Sequence, residues 1–211
     1  MNDLMIDFET MGVEPTNCAV IDCSAMVFNW DKFLSKDPYT TSDINLVKRF
    51  KVSVMDQVKN YNYLVEASVV QWWDIQSPQV KARAVPKKSD LTVEEFTQQF
   101  HNFIIDSGNI ERWWSRSNTF DPVILVRLFD SQKKKSHLHE YLKYYMVRDT
   151  RTYIDAKFNF KQKQNGFCPV SNEQLWEKVF IAHDSSWDVL ADVLRLQAIM
   201  RAENDMEQIE I

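Results

Sequence analysis

The stretch from Leu4 to Thr10 constrains the fold most, because its pattern predicts a buried strand and it also carries two acids. The apolar run 4–6 continues into Phe8, as expected of a short strand in a core. Asp7 and Glu9 are two positions apart, so in a strand their side chains point to the same face. Two like charges in such a segment are costly unless a cation compensates them, and a divalent metal ion is the usual one. An edge strand with two solvated acids is the alternative that the spacing leaves open.

The hydrophobic pattern of the rest of the chain predicts a sheet with helices on its faces. Strands are expected at 18–30, 46–54, 110–114 and 150–155, and helices at 68–75, from 78, at 92–107, from 121 and from 185. The first three strands should be antiparallel, and a right-handed crossover would place the fourth strand beside the first. Residues 159–171 are expected to form a polar loop. The predicted fold class is therefore α/β, with a central mixed five-stranded sheet flanked by helices.

Composition predicts one globular domain over residues 1–211. The chain is 45% hydrophobic and contains only 3 Gly and 6 Pro, which argues against long linkers. No apolar run reaches the roughly 18 residues of a membrane span, and the first residues lack the basic region of a signal peptide. The three cysteines lack metal-type spacing. We therefore expect reduced thiols, a cytoplasmic location and no membrane association.

The charge distribution is uneven. The net charge of −5 does not by itself indicate a nucleic-acid binder, but lysines and arginines concentrate between positions 133 and 163. A local basic surface beside an acidic metal site would suit a polyanionic substrate that is held by few phosphate contacts. A solvated, charged loop is the alternative.

Two further segments place acids in apolar settings. Asp121 lies at a predicted junction between a strand and a helix, and Asp188 lies at the start of the last helix. Together with Asp7 and Glu9 these acids supply four hard oxygen ligands, which suit Mg²⁺ or Mn²⁺ better than zinc. His183 comes five residues before Asp188 and could take a proton from an attacking water.

Each of these residues also has a simpler interpretation. Asp121 could simply be a helix-terminal carboxylate that interacts favourably with the helix dipole, and His183 could simply be a capping or packing residue. Asp184 and Asp192 lie one helical turn on either side of Asp188, so either could be the metal ligand in its place. The combination and the order of the three segments favour the site.

The same three segments resemble a known set of motifs. Met-Ile-Asp-Phe-Glu-Thr-Met-Gly at 5–12, Ser-Asn-Thr-Phe-Asp-Pro-Val-Ile-Leu at 117–125 and His-Asp-Ser-Ser-Trp-Asp-Val-Leu-Ala-Asp at 183–192 resemble the exonuclease motifs of DnaQ-like 3′–5′ exonucleases of the DEDDh class. Segments 70–77 and 148–152 resemble one branch, which holds tailed-phage exonuclease A, exodeoxyribonuclease VIII-like proteins and some bacterial exoribonucleases. The exonuclease A type is the most similar. The resemblance implies an RNase H-like fold and the release of nucleoside monophosphates from 3′ ends with two metal ions.

The resemblance also assigns roles to residues. It implies that Asp7, Glu9, Asp121 and Asp188 bind Mg²⁺ or Mn²⁺ and that His183 is the general base. The related tyrosine class would need Tyr at position 184, which holds Asp. The chain departs from its relatives at Arg116-Ser117, where glycines are common, and at Ser185-Ser186-Trp187, where alanines are common.

The expected substrate is the 3′ end of a nucleic acid, with single-stranded DNA favoured and RNA as the alternative. A domain that binds nucleic-acid ends without cleaving them and a phosphohydrolase for small nucleotides also remain open. Trp72 is expected to pack in the core. The expected substrate-binding residues are Thr10, Met11, Trp73, Gln76, Asn118 and Phe120.

Overall fold

The predicted five-stranded mixed sheet is confirmed. The structure, a computed structural model, describes residues 1–158 and 180–204. The strand order is β3-β2-β1-β4-β5; β1 is antiparallel to β2 and β2 to β3, whereas β4 is parallel to β1 and to β5. The strands are β1 (Asn2–Thr10), β2 (Val20–Asn29), β3 (Lys48–Lys51), β4 (Arg112–Ser115) and β5 (Val147–Asp149).

Helices cover both faces of this sheet. In the described residues they are α1 (Trp30–Phe33), α2 (Val54–Tyr61), α3 (Ala67–Asp74), α4 (Pro78–Ala84), α5 (Val93–Asp106), α6 (Asp121–Ser131), α7 (Lys135–Tyr141), α8 (Thr150–Lys157) and α9 (Ser185–Glu203). Short 3₁₀ turns occupy Thr41–Leu46 and Tyr144–Met146. None of the helices in the described ranges is long and apolar enough to span a bilayer.

The alternation of β1 decides which side chains reach which layer. Leu4, Ile6 and Phe8 are buried in the cluster that α5 and α6 complete, whereas Met5 is buried in the cluster formed with α9. Because successive side chains of a strand point to opposite faces, Asp7 and Glu9 share the side of Met5 and face α9. The strand therefore presents its two acids to the last helix of the described chain.

The pairing of β1 also leaves a gap beside these acids. In the described chain, β4 pairs with β1 only from Asp3 to Met5, whereas β2 follows β1 along its whole length. Beyond Met5 the backbone N–H of Phe8 instead donates to Oδ1 of Asp121, at 3.1 Å. The first residue of α6 thus fills the place that a longer β4 would occupy.

Local sequence signals explain several helix ends. Thr92 and Glu95 form the reciprocal capping box of α5, which begins where a helix is predicted, and Gly108 follows the helix with a φ of 75°. Pro122 lies in the first turn of α6, where a missing N–H costs no hydrogen bond.

The predicted strand at 150–155 is wrong. The strand β5 ends at Asp149, and α8 begins at Thr150, because Oδ1 of Asp149 accepts the N–H of Thr152 at 2.7 Å and caps the helix. Strand β3 is shorter than predicted, because Ser53 caps α2 by accepting the N–H of Asp56. Helices α1, α2 and α7 were not predicted. The loop expected at 159–171 lies outside the described residues.

Candidate active site

Three carboxylates from the two ends of the chain converge. Asp7 and Glu9 lie on β1, and Asp188 lies in the first turn of α9. One carboxylate oxygen from each of the three lies within 4.8 Å of the others. Packing of α9 against the face of β1 that carries the acids brings them together.

Asp121 reaches the same region from a third element. Its side chain is only 4% exposed, and the hydrogen bond from Phe8 holds it against β1 between the positions of the two strand acids. It is not part of the group of three within 4.8 Å, but its charge contributes to the raised pKa of Asp7 and of Glu9. The four acids are therefore electrostatically connected.

Burial and mutual repulsion make this cluster costly in its charged form. Burial is the largest cause of the raised pKa of Asp7, followed by the charges of Asp121 and Glu9. Burial, then the charge of Asp188, raises the pKa of Glu9. Burial is also the first cause that raises the pKa of Asp121 and of Asp188 to about 7. A cluster of oxygen ligands that repel one another is the donor set that a hard divalent cation stabilises, so these residues fit Mg²⁺ or Mn²⁺.

Contacts distinguish Asp188 from its two acidic neighbours on α9. Asp184 caps the helix by accepting the N–H of Ser186 at 3.0 Å, and it forms an ion pair with Arg83 at 2.8 Å. Asp192 pairs with Arg116 and Arg195. Burial would raise the pKa of Asp192, but the two guanidinium groups outweigh it and the pKa is lowered. Asp188 is the carboxylate of this helix that joins the group on β1.

His183 lies directly before the cap of α9. Its φ of 60° is in the left-handed region, and its imidazole meets the ring of Trp72 edge-on, with ring centroids 4.7 Å apart. Partial desolvation of the ring lowers the pKa of His183 from its usual value. A neutral imidazole at neutral pH can accept a proton.

A cavity of about 450 Å³ opens beside the acids and is large enough for a nucleobase. Three of the predicted substrate-binding residues, Thr10, Trp73 and Phe120, line it together with Glu9. Trp72 lines it as well and is 36% exposed, so the expectation that it packs in the core is wrong.

The end of β1 and the start of α3 form the floor of this cavity. The indole N–H of Trp73 donates to the carbonyl of Thr10 at 3.0 Å. The backbone N–H of Glu66 donates to the carbonyl of Met11 at 2.8 Å, and its Oε1 accepts the N–H of Val13 at 2.9 Å. A Cβ at Gly12 would lie 2.9 Å from the Cβ of buried Cys18, which cannot move aside without shifting its backbone, so this close approach favours glycine.

Three predicted substrate-binding residues lie elsewhere. Met11 packs against the hydrophobic clusters below the cavity. The side-chain amide of Gln76 donates to the carbonyl of Trp72 at 2.9 Å, and this residue lines a second cavity, of about 270 Å³, that it shares with His183. Asn118 is exposed, and its backbone N–H donates to Asp149 at 3.1 Å.

Comparison with known proteins agrees with this geometry. The family model that describes the 3′–5′ exoribonuclease Rv2179c-like domain matches residues 2–174. The chain belongs to this exonuclease family. It is accordingly a DnaQ-like 3′–5′ exonuclease, as the three motifs imply.

The individual proteins that the chain resembles have low sequence identity to it. A protein described as an exodeoxyribonuclease, from Enterobacteria phage T4, is 27% identical over 220 residues, which cover 98% of this chain and 92% of that protein. The zinc-ion-bound complex of E. coli exonuclease I with single-stranded DNA superposes with a TM-score of 0.64 at 15% identity, over 97% of this chain and 41% of that chain. The complex of the same enzyme with a dA16 oligonucleotide gives a TM-score of 0.62 at 16% identity, over 96% of this chain and 41% of that one. The chain thus spans about two-fifths of the length of exonuclease I, and the shared architecture confirms the RNase H-like fold.

A buried polar network beneath the exonuclease site was missed by the sequence analysis. On β2, Asp22 lies opposite Glu9 in the register, and Ser24 lies opposite Asp7. The hydroxyl of Ser185 donates to Oδ1 of Asp22 at 2.6 Å, and Ser24 is hydrogen-bonded to Ser185 and Ser186 at 2.7 and 2.9 Å. The serines at 185 and 186, where relatives commonly have alanine, were the feature of the sequence that could have indicated this network.

The basic segment at 133–163 contributes less positive charge to the site than its content of lysine and arginine suggests. Lys157 pairs with Glu203, and the guanidinium of Arg148 donates to backbone carbonyls. Arg151 is exposed, and its charge partly offsets the rise that burial causes in the pKa of Asp121. The charge of Arg151, in this segment, therefore acts on an acid of the exonuclease site.

Proposed function

We propose that this chain is a metal-dependent exonuclease that removes nucleoside monophosphates from the 3′ end of single-stranded DNA. The main support for the proposal is that carboxylate oxygens of Asp7, Glu9 and Asp188 lie within 4.8 Å of one another. Asp121 is held beside them by a hydrogen bond from the N–H of Phe8. The group stands next to a cavity large enough for a terminal base. Glu9 lines this cavity together with Trp72, and the ring of Trp72 contacts the imidazole of His183, so the acids, the cavity and the histidine are neighbours.

In this proposal the four carboxylates hold two Mg²⁺ or Mn²⁺ ions. Such ions activate the attacking water and stabilise the charge on the leaving oxygen of a phosphodiester. The fit rests on the all-oxygen donor set and on the raised pKa of each acid, since a cation removes the repulsion that raises them.

His183 accepts the proton of the attacking water on an imidazole nitrogen. The residue is exposed, its pKa is lowered by partial desolvation, and its backbone is fixed by the adjacent cap of α9. A neutral imidazole near the working pH is the form that serves as a general base. Thr10 and Phe120 line the space for the terminal nucleotide, where aromatic faces accept any of the bases.

Two observations bear on the sugar. The relative from phage T4 is described as an exodeoxyribonuclease, and the exonuclease I complexes contain single-stranded DNA, which favours DNA. The matching family is described by exoribonuclease activity, which makes RNA the second candidate. Buried free thiols at Cys18 and Cys23 fit the expected cytoplasmic location, and one domain over 1–211 remains our expectation.

The proposal is tested with single-stranded DNA and RNA of one sequence, each labelled at the 5′ or at the 3′ end, in Mn²⁺. We expect 5′-labelled DNA to shorten stepwise and 3′-labelled DNA to release a labelled mononucleotide, with RNA degraded more slowly. Asp7→Asn should lower the rate at least about a hundredfold, because it removes a proposed metal ligand. Asp130→Asn, at an exposed position on α6, is the matched control and should keep the rate. Release from the 5′ end, or full activity of Asp7→Asn, would overturn the assignment.

A further inference from the structure

Trp72 connects the cavity with the histidine. Its side chain lines the cavity beside Glu9, and its ring meets the imidazole of His183 edge-on, with centroids 4.7 Å apart and planes at 87°. One side chain therefore contacts both the space for a terminal base and the proposed general base. With 36% of its surface exposed, the indole is not needed to fill the core.

The indole is supported from behind by its neighbour. Trp73 is 6% exposed, and its N–H is bonded to the carbonyl of Thr10, which anchors α3 to the end of β1. The rings of Trp72 and Trp73 pack edge-to-face, with centroids 5.0 Å apart. The back of Trp72 thus rests on a fixed ring, while its open side faces the cavity.

The imidazole of His183 depends on this contact for its orientation. Its backbone is fixed, because the next residue, Asp184, caps α9 and pairs with Arg83. In the described part of the chain, the ring itself makes no hydrogen bond or ion pair, and the aromatic ring that it contacts is that of Trp72. A shift of the indole would therefore change the direction of the imidazole.

We infer that Trp72 is a positioning residue that makes the catalytic rate depend on the presence of a terminal base. A base stacked in the cavity fixes the indole, and the indole holds the imidazole of His183 in the orientation that accepts a proton. This inference rests on the proposed function, in which His183 is the general base. A substrate that lacks its terminal base should still bind through its phosphates and metal contacts but should be hydrolysed slowly.

The kinetic test uses two DNA oligonucleotides that differ only at the 3′-terminal nucleotide, which is either normal or abasic. For the wild type we expect the abasic end to lower kcat roughly ten- to hundredfold, with a smaller effect on KM, because small misplacements of a catalytic group have effects of that size. Trp72→Ala should lower kcat on the normal substrate by a similar factor and should reduce the effect of the terminal base on kcat to less than about twofold.

Two further variants separate positioning from packing. Trp72→Phe retains an aromatic face and should restore most of kcat. Val69 lines the same cavity but has no aromatic ring that could pack against the imidazole of His183. For Val69→Ala, KM should rise and kcat should still depend on the terminal base. Loss of that dependence in Val69→Ala would mean that the cavity as a whole, and not Trp72, sets the rate.

A second readout needs no metal and no turnover. The chain has four histidines, so the NMR signal of the imidazole of His183 can be assigned by its absence in His183→Ala. Deoxyadenosine monophosphate should shift this signal in the metal-free wild type, whereas deoxyribose 5-phosphate should not. The signal should lose its ring-current shift in Trp72→Ala.

The outcomes distinguish the inference from the proposal on which it rests. Full activity of His183→Ala would overturn the general-base assignment and this inference with it. Suppose that His183→Ala is slow but Trp72→Ala keeps the wild-type kcat and its dependence on the terminal base. This result would refute only the coupling through Trp72. If Trp72→Ala did not fold, equal responses of the wild-type His183 signal to the two phosphate compounds would still refute it.

Discussion

Replacing Asp121 with asparagine should stabilise the metal-free protein. Asp121 is buried, and burial raises its pKa from 3.8 to about 7. An acid whose pKa is raised in the folded state binds its proton more tightly there than in the unfolded chain. The free energy of unfolding therefore falls as the pH rises from about 4 to about 7. Asparagine carries no charge and keeps a carbonyl oxygen that can accept the N–H of Phe8.

The magnitude follows from that pKa. At roughly 1.4 kcal/mol for each pH unit, the charged form of Asp121 costs the fold about 4 kcal/mol above pH 7. The new amide group would lose about 1–3 kcal/mol if its own donors found no partners, so we expect a net gain of about 2 kcal/mol. For a chain of this length that corresponds to a rise in melting temperature of about 4–8 °C.

The assay is thermal unfolding in EDTA at pH 8 and at pH 5. At pH 8 Asp121→Asn should melt above the wild type, and at pH 5, where the wild-type carboxyl is protonated, the gain should disappear. Asp130→Asn, on the exposed side of the same helix, should change the melting temperature by less than about 2 °C at either pH. A variant that is no more stable than the wild type at pH 8 would refute the reasoning, because the acid would then not be buried among like charges.

Three other outcomes follow from the site. Mn²⁺ should raise the melting temperature more at pH 8 than at pH 5, since protons compete for the carboxylates. Asp188→Asn should lose this rise whereas Asp192→Asn should keep it; equal behaviour of the two variants would contradict the assignment of Asp188. His183→Ala should lower kcat by about 10²–10⁴-fold with little change in KM, as measured by steady-state hydrolysis of labelled DNA, and an unchanged rate would move the base role elsewhere. Ser185→Ala should lower the free energy of unfolding by about 1–3 kcal/mol in urea titrations, because it removes the hydroxyl that donates to Oδ1 of buried Asp22; a neutral effect would mean that this network is not formed.

Local patterns in the sequence were sufficient for much of the fold. Strand β1 and helix α5 depend on neighbours within a few positions, so periodicity and helix signals predicted them. Asp121 could be placed for the same reason, because a proline in the next position marks the first turn of a helix. The position of β4 beside β1 then followed from the connectivity of the chain.

Other features depend on partners that are distant in sequence. Helix α8 was mistaken for a strand because Tyr153 and Ile154 give no helical stripe of their own; its start is fixed by Asp149, and Thr150 is bonded to Ser115 on β4 and to Asp192 on α9. Trp72 was expected in the core because tryptophan has a large apolar side chain. Its exposed position at the cavity results from the hydrogen bond of Trp73 that anchors α3 to β1.

The choice among the three acids of α9 shows where sequence reasoning about the site ends. Asp184, Asp188 and Asp192 repeat every four residues, so helical periodicity places all three on similar faces and offers no way to choose. The choice is made by cations that come from elsewhere in the chain: Arg83 of α4 pairs with the first acid, and Arg116, which follows β4, pairs with the last. The middle acid joins the group on β1 and forms no ion pair within the described residues, so a metal ion would stabilise its charge. The arginines that neutralise its neighbours are thus as much a determinant of the site as the acids themselves.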